Sequence, residues 1–116
     1  MLSTTGYSRG DVALVTFVFT DESGARRRPV VVLSSEDYHR GRQEAIVAAI
    51  TSNVERLLVG DHLIGEWQAA GLLFPSVATG IIRTVKQSMV GRKLGSISSG
   101  DMRAIEASLK LSLALS

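Results

Sequence analysis

Apolar and polar positions along the chain alternate in short blocks. Val12 to Phe19, opened by Gly10-Asp11, is β-branched and aromatic and predicts a first strand. Thr20 to Arg27 carries Asp21, Ser23 and Gly24 and predicts a loop. Pro29 fixes its own φ and pushes Arg28 towards extended backbone. A second strand then runs from Arg28 to Leu33 or Ser34. Ser34-Ser35-Glu36-Asp37 predicts a capped helical turn over residues 36–42. Ala45 to Thr51 predicts a third strand.

Val59 to Ile64 holds a short strand, and Trp67 to Leu72 a helical turn ended by glycine. Ser76 to Val85 is β-branched again, with Gly80 as a bulge in its middle. Arg92 to Ile97 predicts a last strand. Ser98 then starts a helix, with Asp101 three residues on in a capping-box-like arrangement. Met102, Ile105, Leu109 and Leu113 share one helical face, a stripe for packing on the sheet or on a second subunit. Short strands, turn residues between them and one C-terminal helix predict a mainly β protein with helices. The expected architecture is a small, strongly curved barrel.

At 116 residues the chain fits one domain. A polar lead over residues 1–9 is expected to fray, and residues 10–116 form the domain. No apolar run approaches the ~18 residues that a membrane span needs, and the N-terminal segment has no signal-like apolar stretch, so a cytoplasmic protein is expected. Cysteine is absent, which excludes disulfides and thiolate metal sites. His39 and His62 are the only histidines, and their spacing suggests no zinc site. A net charge of +2 is too small to drive polyanion binding by itself. Clustering matters more: arginines gather at 26–28 and at 40 and 42, and Arg92-Lys93 form a third spot.

If the second and third strands are antiparallel neighbours, the start of one lies beside the end of the other. Arg28 and Thr51 then share one rim of the sheet with the first loop and with Ser52 and Asn53. A guanidinium keeps its charge and forks onto phosphate oxygens. A hydroxyl beside it donates to or accepts from the same group. The pattern proposes a phosphate-handling site.

The ordered set Gly10-Asp11-Val12, Arg27-Arg28-Pro29-Val30, Leu33-Ser34-Ser35, Ile50-Thr51-Ser52-Asn53, Arg83-Thr84 and Arg92-Lys93-Leu94-Gly95 resembles the MazF/PemK toxins of bacterial toxin–antitoxin modules. The stretch Glu66 to Leu72 followed by Pro75-Ser76 is similar to one PemK-like branch. The resemblance covers residues 10–115. It implies an SH3-like barrel, a homodimer, and a cognate antitoxin whose tail covers an RNA groove. It also implies a sequence-selective endoribonuclease that cuts single-stranded RNA without metal or other cofactor. Arg28 falls on the family's catalytic arginine and Thr51 on its catalytic threonine or serine, and Thr20 to Arg27 is the loop that closes over the site. Arg26, Arg27, Ser52, Asn53, Arg83 and Lys86 are the expected RNA contacts. One departure stands out. A plasmid-borne branch has an arginine and an aspartate in acid–base roles where this chain has Ala78 and Gly80. The Glu-Gln pair of the chromosomal branch, near Thr79 and Gly80, is missing too.

The implied reaction is attack of a ribose 2′-hydroxyl on its own 3′-phosphate, giving a 2′,3′-cyclic phosphate and a free 5′-hydroxyl. Arg28 suits stabilisation of the phosphorane. Arginine is a poor base, so Asp21 or Glu22 is the expected proton acceptor. A His39–His62 pair is a weaker alternative, because His39 lies on the connector at the opposite sheet end. Trp67 reads as a core or dimer filler, or else as a platform for an RNA base. The competing function is a non-catalytic binding protein on the same barrel, either gyrase-poison-like or a degenerate family member that binds antitoxin or RNA without cutting.

Overall fold

A computed structural model describes residues 6–18 and 25–116 of the chain. Its strands are β1 (Asp11–Val18), β2 (Ala25–Val32), β3 (Glu44–Thr51), β4 (His62–Leu63), β5 (Val77–Lys86) and β6 (Val90–Ser96). Two helices, α1 (Glu36–Gly41) and α2 (Ser99–Leu113), complete the fold, with a 3-10 turn at Gln87–Met89. The strands form one antiparallel sheet in the order β4-β5-β3-β2-β1-β6. β2 begins at Ala25, three residues before the expected start, because the pairing with β1 runs from Val12↔Val31 to Val18↔Ala25. Arg26 and Arg27 are therefore strand residues. Asp21 and Glu22 lie outside the described residues.

The edge strands β4 and β6 are not hydrogen-bonded to each other. Residues 66–72 sit at that gap instead. Leu72 N–H bonds the Trp67 carbonyl at 3.1 Å and Gly71 N–H bonds that of Gln68 at 3.0 Å. This is the crossed pair that ends a helical turn, and it needs the left-handed φ of +85° that Gly71 adopts. A Cβ on Gly71 would fall 2.1 Å from the Leu94 carbonyl oxygen. Glycine here lets the segment press directly on β6.

The main core joins Val12, Val31, Ala48, Ile50, Ile64 and Leu72 to Met102 and Ile105 of α2, with Trp67 and Leu109 half-buried against it. Leu113, the last residue of the expected stripe, is exposed. A smaller cluster on the other side of the sheet contains Val15, Val30, Val47 and Val85. The bulge expected at Gly80 is present. The β3–β5 register changes between Ala48↔Ile82 and Ile50↔Ala78. Thr79 Oγ1 donates to the Ala49 carbonyl there (2.7 Å), replacing a lost ladder bond. Of the expected lead, Tyr7 is buried against Val32 and Ala45, and Arg9 bonds the Leu33 carbonyl and Glu106. Among the described residues no helix is long and apolar enough to cross a membrane.

Candidate functional site

The β2–β3 ladder explains the site. Leu33 N–H donates to the Ile46 carbonyl at 2.9 Å. Alternation along the strand then turns the nitrogens of Val31 and Pro29 towards β3 as well. Pro29 has no N–H to donate, and the paired positions end at Val30↔Ala49. Continuing that register two residues sets Arg28 across from Thr51. The sheet opens where these two side chains begin.

A cavity of about 480 Å³ occupies this opening, lined by Arg28, Thr51 and Ser52 together with Leu14, Pro29 and Ile50. β6 adds Arg92 and Leu94, and the segment before β5 adds Leu72, Leu73 and Phe74. Arg28 and Arg92 are exposed, and neither forms an ion pair among the described residues. Thr51 Oγ1 accepts the Asn53 N–H at 3.1 Å. That bond uses one lone pair and fixes the oxygen, leaving its proton free to donate. Among the described residues, no carboxylate and no histidine lines the cavity.

The other expected contacts divide. Ser52 joins the cavity. Asn53 is exposed beside it, its side chain accepting the Glu55 N–H at 3.2 Å. Arg27 lines a neighbouring hollow with Thr16, Met89 and Arg92. Arg26 is exposed on β2 opposite Phe17. Arg83 pairs with Val47, four residues or roughly 13 Å along β3 from Thr51. Its guanidinium stacks over Phe17 at 5.2 Å. Lys86 pairs with Glu44, seven residues or roughly 23 Å away. The structure brings neither Arg83 nor Lys86 to the cavity. The expected strand over residues 76–85 held Arg83 but stopped one residue short of Lys86, and only the register shows at which end they lie.

The histidines and the most perturbed carboxylate lie elsewhere. His39 is buried on α1, its Nε2 2.6 Å from Ser34 Oγ, and burial lowers its pKa, opposed by Glu36. His62 Nε2 lies 2.8 Å from Asp101 Oδ1. Burial alone would raise the Asp101 pKa. The N–H groups of Glu66 and Gly65, with His62 and Ser98, outweigh it and hold the value at about 2. Ser98 caps α2 through the Asp101 N–H (3.1 Å), as expected. The carboxylate fastens residues 65–66 to the helix (2.9 and 3.0 Å). Ala78 is buried and pairs with both Ile50 and His62. Gly80 donates its N–H to Asp61 at 2.8 Å.

Residue reasoning overlooked Phe74. The run Leu72-Leu73-Phe74 before Pro75 was its available signal, because an apolar triplet in a loop needs a partner.

The family model for the PemK-like, MazF-like toxins of type II toxin–antitoxin systems matches residues 8–113, and the chain belongs to that family. No curated protein matches it by sequence. Among solved structures it is similar to a mycobacterial endoribonuclease in complex with its cognate antitoxin. That match has 20% identity, 96% of this chain and 98% of that one covered, and a TM-score of 0.75. MazF in a MazE–MazF structure from Deinococcus radiodurans gives 16% identity, coverage of 95% and 97%, and a TM-score of 0.78. The Mycobacterium tuberculosis toxin MazF-mt6 gives 22%, coverage of 90% and 98%, and 0.71. At these identities the likeness speaks for the fold.

Proposed function

We propose that the chain is a toxin that cuts single-stranded RNA by attack of a ribose 2′-hydroxyl on the adjacent phosphate, without a metal ion. The observation that carries this reading is the register that sets Arg28 across from Thr51 at the mouth of an open cavity. An exposed guanidinium free of an ion pair among the described residues is ready to bind a phosphorane. The Thr51 hydroxyl, its oxygen held by Asn53, donates to a non-bridging oxygen. Arg92 supplies a second cation for a neighbouring phosphate. Asp21 or Glu22 removes the 2′ proton, the P–O5′ bond breaks as the 2′ oxygen bonds phosphorus, and the departing 5′ oxygen takes a proton from water. Both acidic side chains belong to residues 19–24, the stretch of sequence between β1 and β2.

Similar solved endoribonucleases, one of them in complex with its cognate antitoxin, support both the activity and a cognate antitoxin as partner. The reading also includes a homodimer acting in the cytoplasm, where its RNA lies. The test uses a chimeric oligonucleotide carrying a single 2′-deoxy residue at a mapped cleavage position. Cleavage there stops if the 2′-hydroxyl is the nucleophile. Continued cutting at that bond would refute the mechanism.

A further inference from the structure

The cavity has two chemically different walls. One carries the guanidiniums of Arg28 and Arg92. The other is Leu72, Leu73 and Phe74. Leu72 is a core residue, but Phe74 is 63% exposed and Leu73 83%. A phenyl ring left this open beside an equally open leucine is an exposed apolar patch that calls for a partner.

Phe74 is also braced. Its carbonyl accepts the Ser76 hydroxyl at 2.8 Å, and the segment behind it is pinned by the Gly71 turn against β6. Trp67, the aromatic that the sequence suggested as a base platform, is instead half-buried on the main core and absent from the cavity lining. Among the described residues, Phe74 is the aromatic side chain at the cavity.

We infer that Phe74 is the platform on which a nucleobase of single-stranded RNA stacks, next to the phosphate held by Arg28. This subsite rests on the reading of the cavity as an RNA site and adds how a base is seated there. The walls match the two halves of a nucleotide. Cationic groups face its phosphate, and an exposed ring on a fixed backbone faces its π-surface. With its backbone held, Phe74 has only two side-chain torsions to lose when a base settles on it. Stacking accepts any base face, so Phe74 contributes affinity and positioning more than base identity.

The test needs neither cleavage nor a known recognition sequence. A random-sequence 2′-deoxy oligonucleotide containing 5-iodo-2′-deoxyuridine is bound to the intact protein and photo-crosslinked, and the modified peptide is identified by mass spectrometry. The expected crosslink is on Phe74. In parallel, Phe74→Ala binds the same oligonucleotide roughly 5- to 100-fold more weakly, and Phe74→Tyr restores binding. The ring is exposed, so both variants should melt like the parent. Crosslinks on Trp67 or elsewhere with none on Phe74 would overturn the inference. So would unchanged oligonucleotide affinity in Phe74→Ala, including the case where only antitoxin binding weakens. The 2′-deoxy probe separates this result from the nuclease reading, which stands or falls on cleavage of RNA.

Discussion

Two polar regions of this molecule use their charged groups in opposite ways. At the cavity, Arg28 and Arg92 are exposed and free of ion pairs among the described residues. On the other side of the main core, Asp101 is buried and takes hydrogen bonds from Gly65, Glu66, His62 and Ser98. The first region keeps its bonding capacity for a ligand, whereas the second spends it on joining β4 and the following turn to α2. A strongly shifted pKa in this protein therefore marks a structural fastening. In the proposed reading, the chemistry belongs to the region whose arginines have no ion-pair partner among the described residues.

Exchanging the character of either region tests the contrast. The largest effect is expected at the cavity. Arg28→Ala should lower RNA cleavage by at least about 10²- to 10³-fold while the melting temperature stays unchanged. Arg28→Lys should stay badly impaired, because a point charge does not replace the planar fork.

The fastening should respond in the reverse sense. Asp101→Ala strands two backbone N–H groups and His62, so a loss of about 3 kcal/mol in denaturant-measured stability is expected. Cleavage per folded molecule should be retained. The same carboxylate sets an acid dependence. Its folded pKa of about 2 lies below its ordinary 3.8, so its contribution is present above about pH 4. As pH falls from there towards 2 that contribution, on the order of 2 kcal/mol, is lost. Asp101→Asn should remove this part of the stability slope. If the slope persists, another group causes it.

Gly71 lines the cavity as well. Gly71→Ala must adopt φ near +85° and meet the Leu94 carbonyl, so a loss of ~1–3 kcal/mol is expected in thermal or chemical melts. An unchanged melt would mean that residues 66–72 are not held against β6. The smallest effect is a null one. Added EDTA should leave the cleavage rate unchanged, and loss of activity with chelator would bring back a metal-dependent reaction.

The sequence made much of this plan legible. Pro29 after Arg28 and the Ile50-Thr51-Ser52-Asn53 terminus marked the two strand ends that meet. Gly80 marked its bulge, and Ser98 its helix cap. Besides Phe74, three things escaped it, each a matter of register or long-range contact. Where β2 begins depends on pairing with β1, and the charged run Arg26-Arg27 concealed a continuing strand. Arg83 and Lys86 were expected RNA contacts. Antiparallel pairing carries them towards the far end. The polar Asp101 looked like a simple cap, and nothing local in the sequence pointed to residues 62–66 as its partners. The roles of Asp21 and Glu22 are open to the same mutational test as Arg28.

The most direct measurement is to map the new 5′-hydroxyl ends on one long RNA after incubation with the purified chain and, side by side, with Arg28→Ala. The account predicts discrete 5′-hydroxyl ends, paired with 2′,3′-cyclic phosphates, from the parent and none above background from the variant. The same ends at the same rate from both proteins would contradict it.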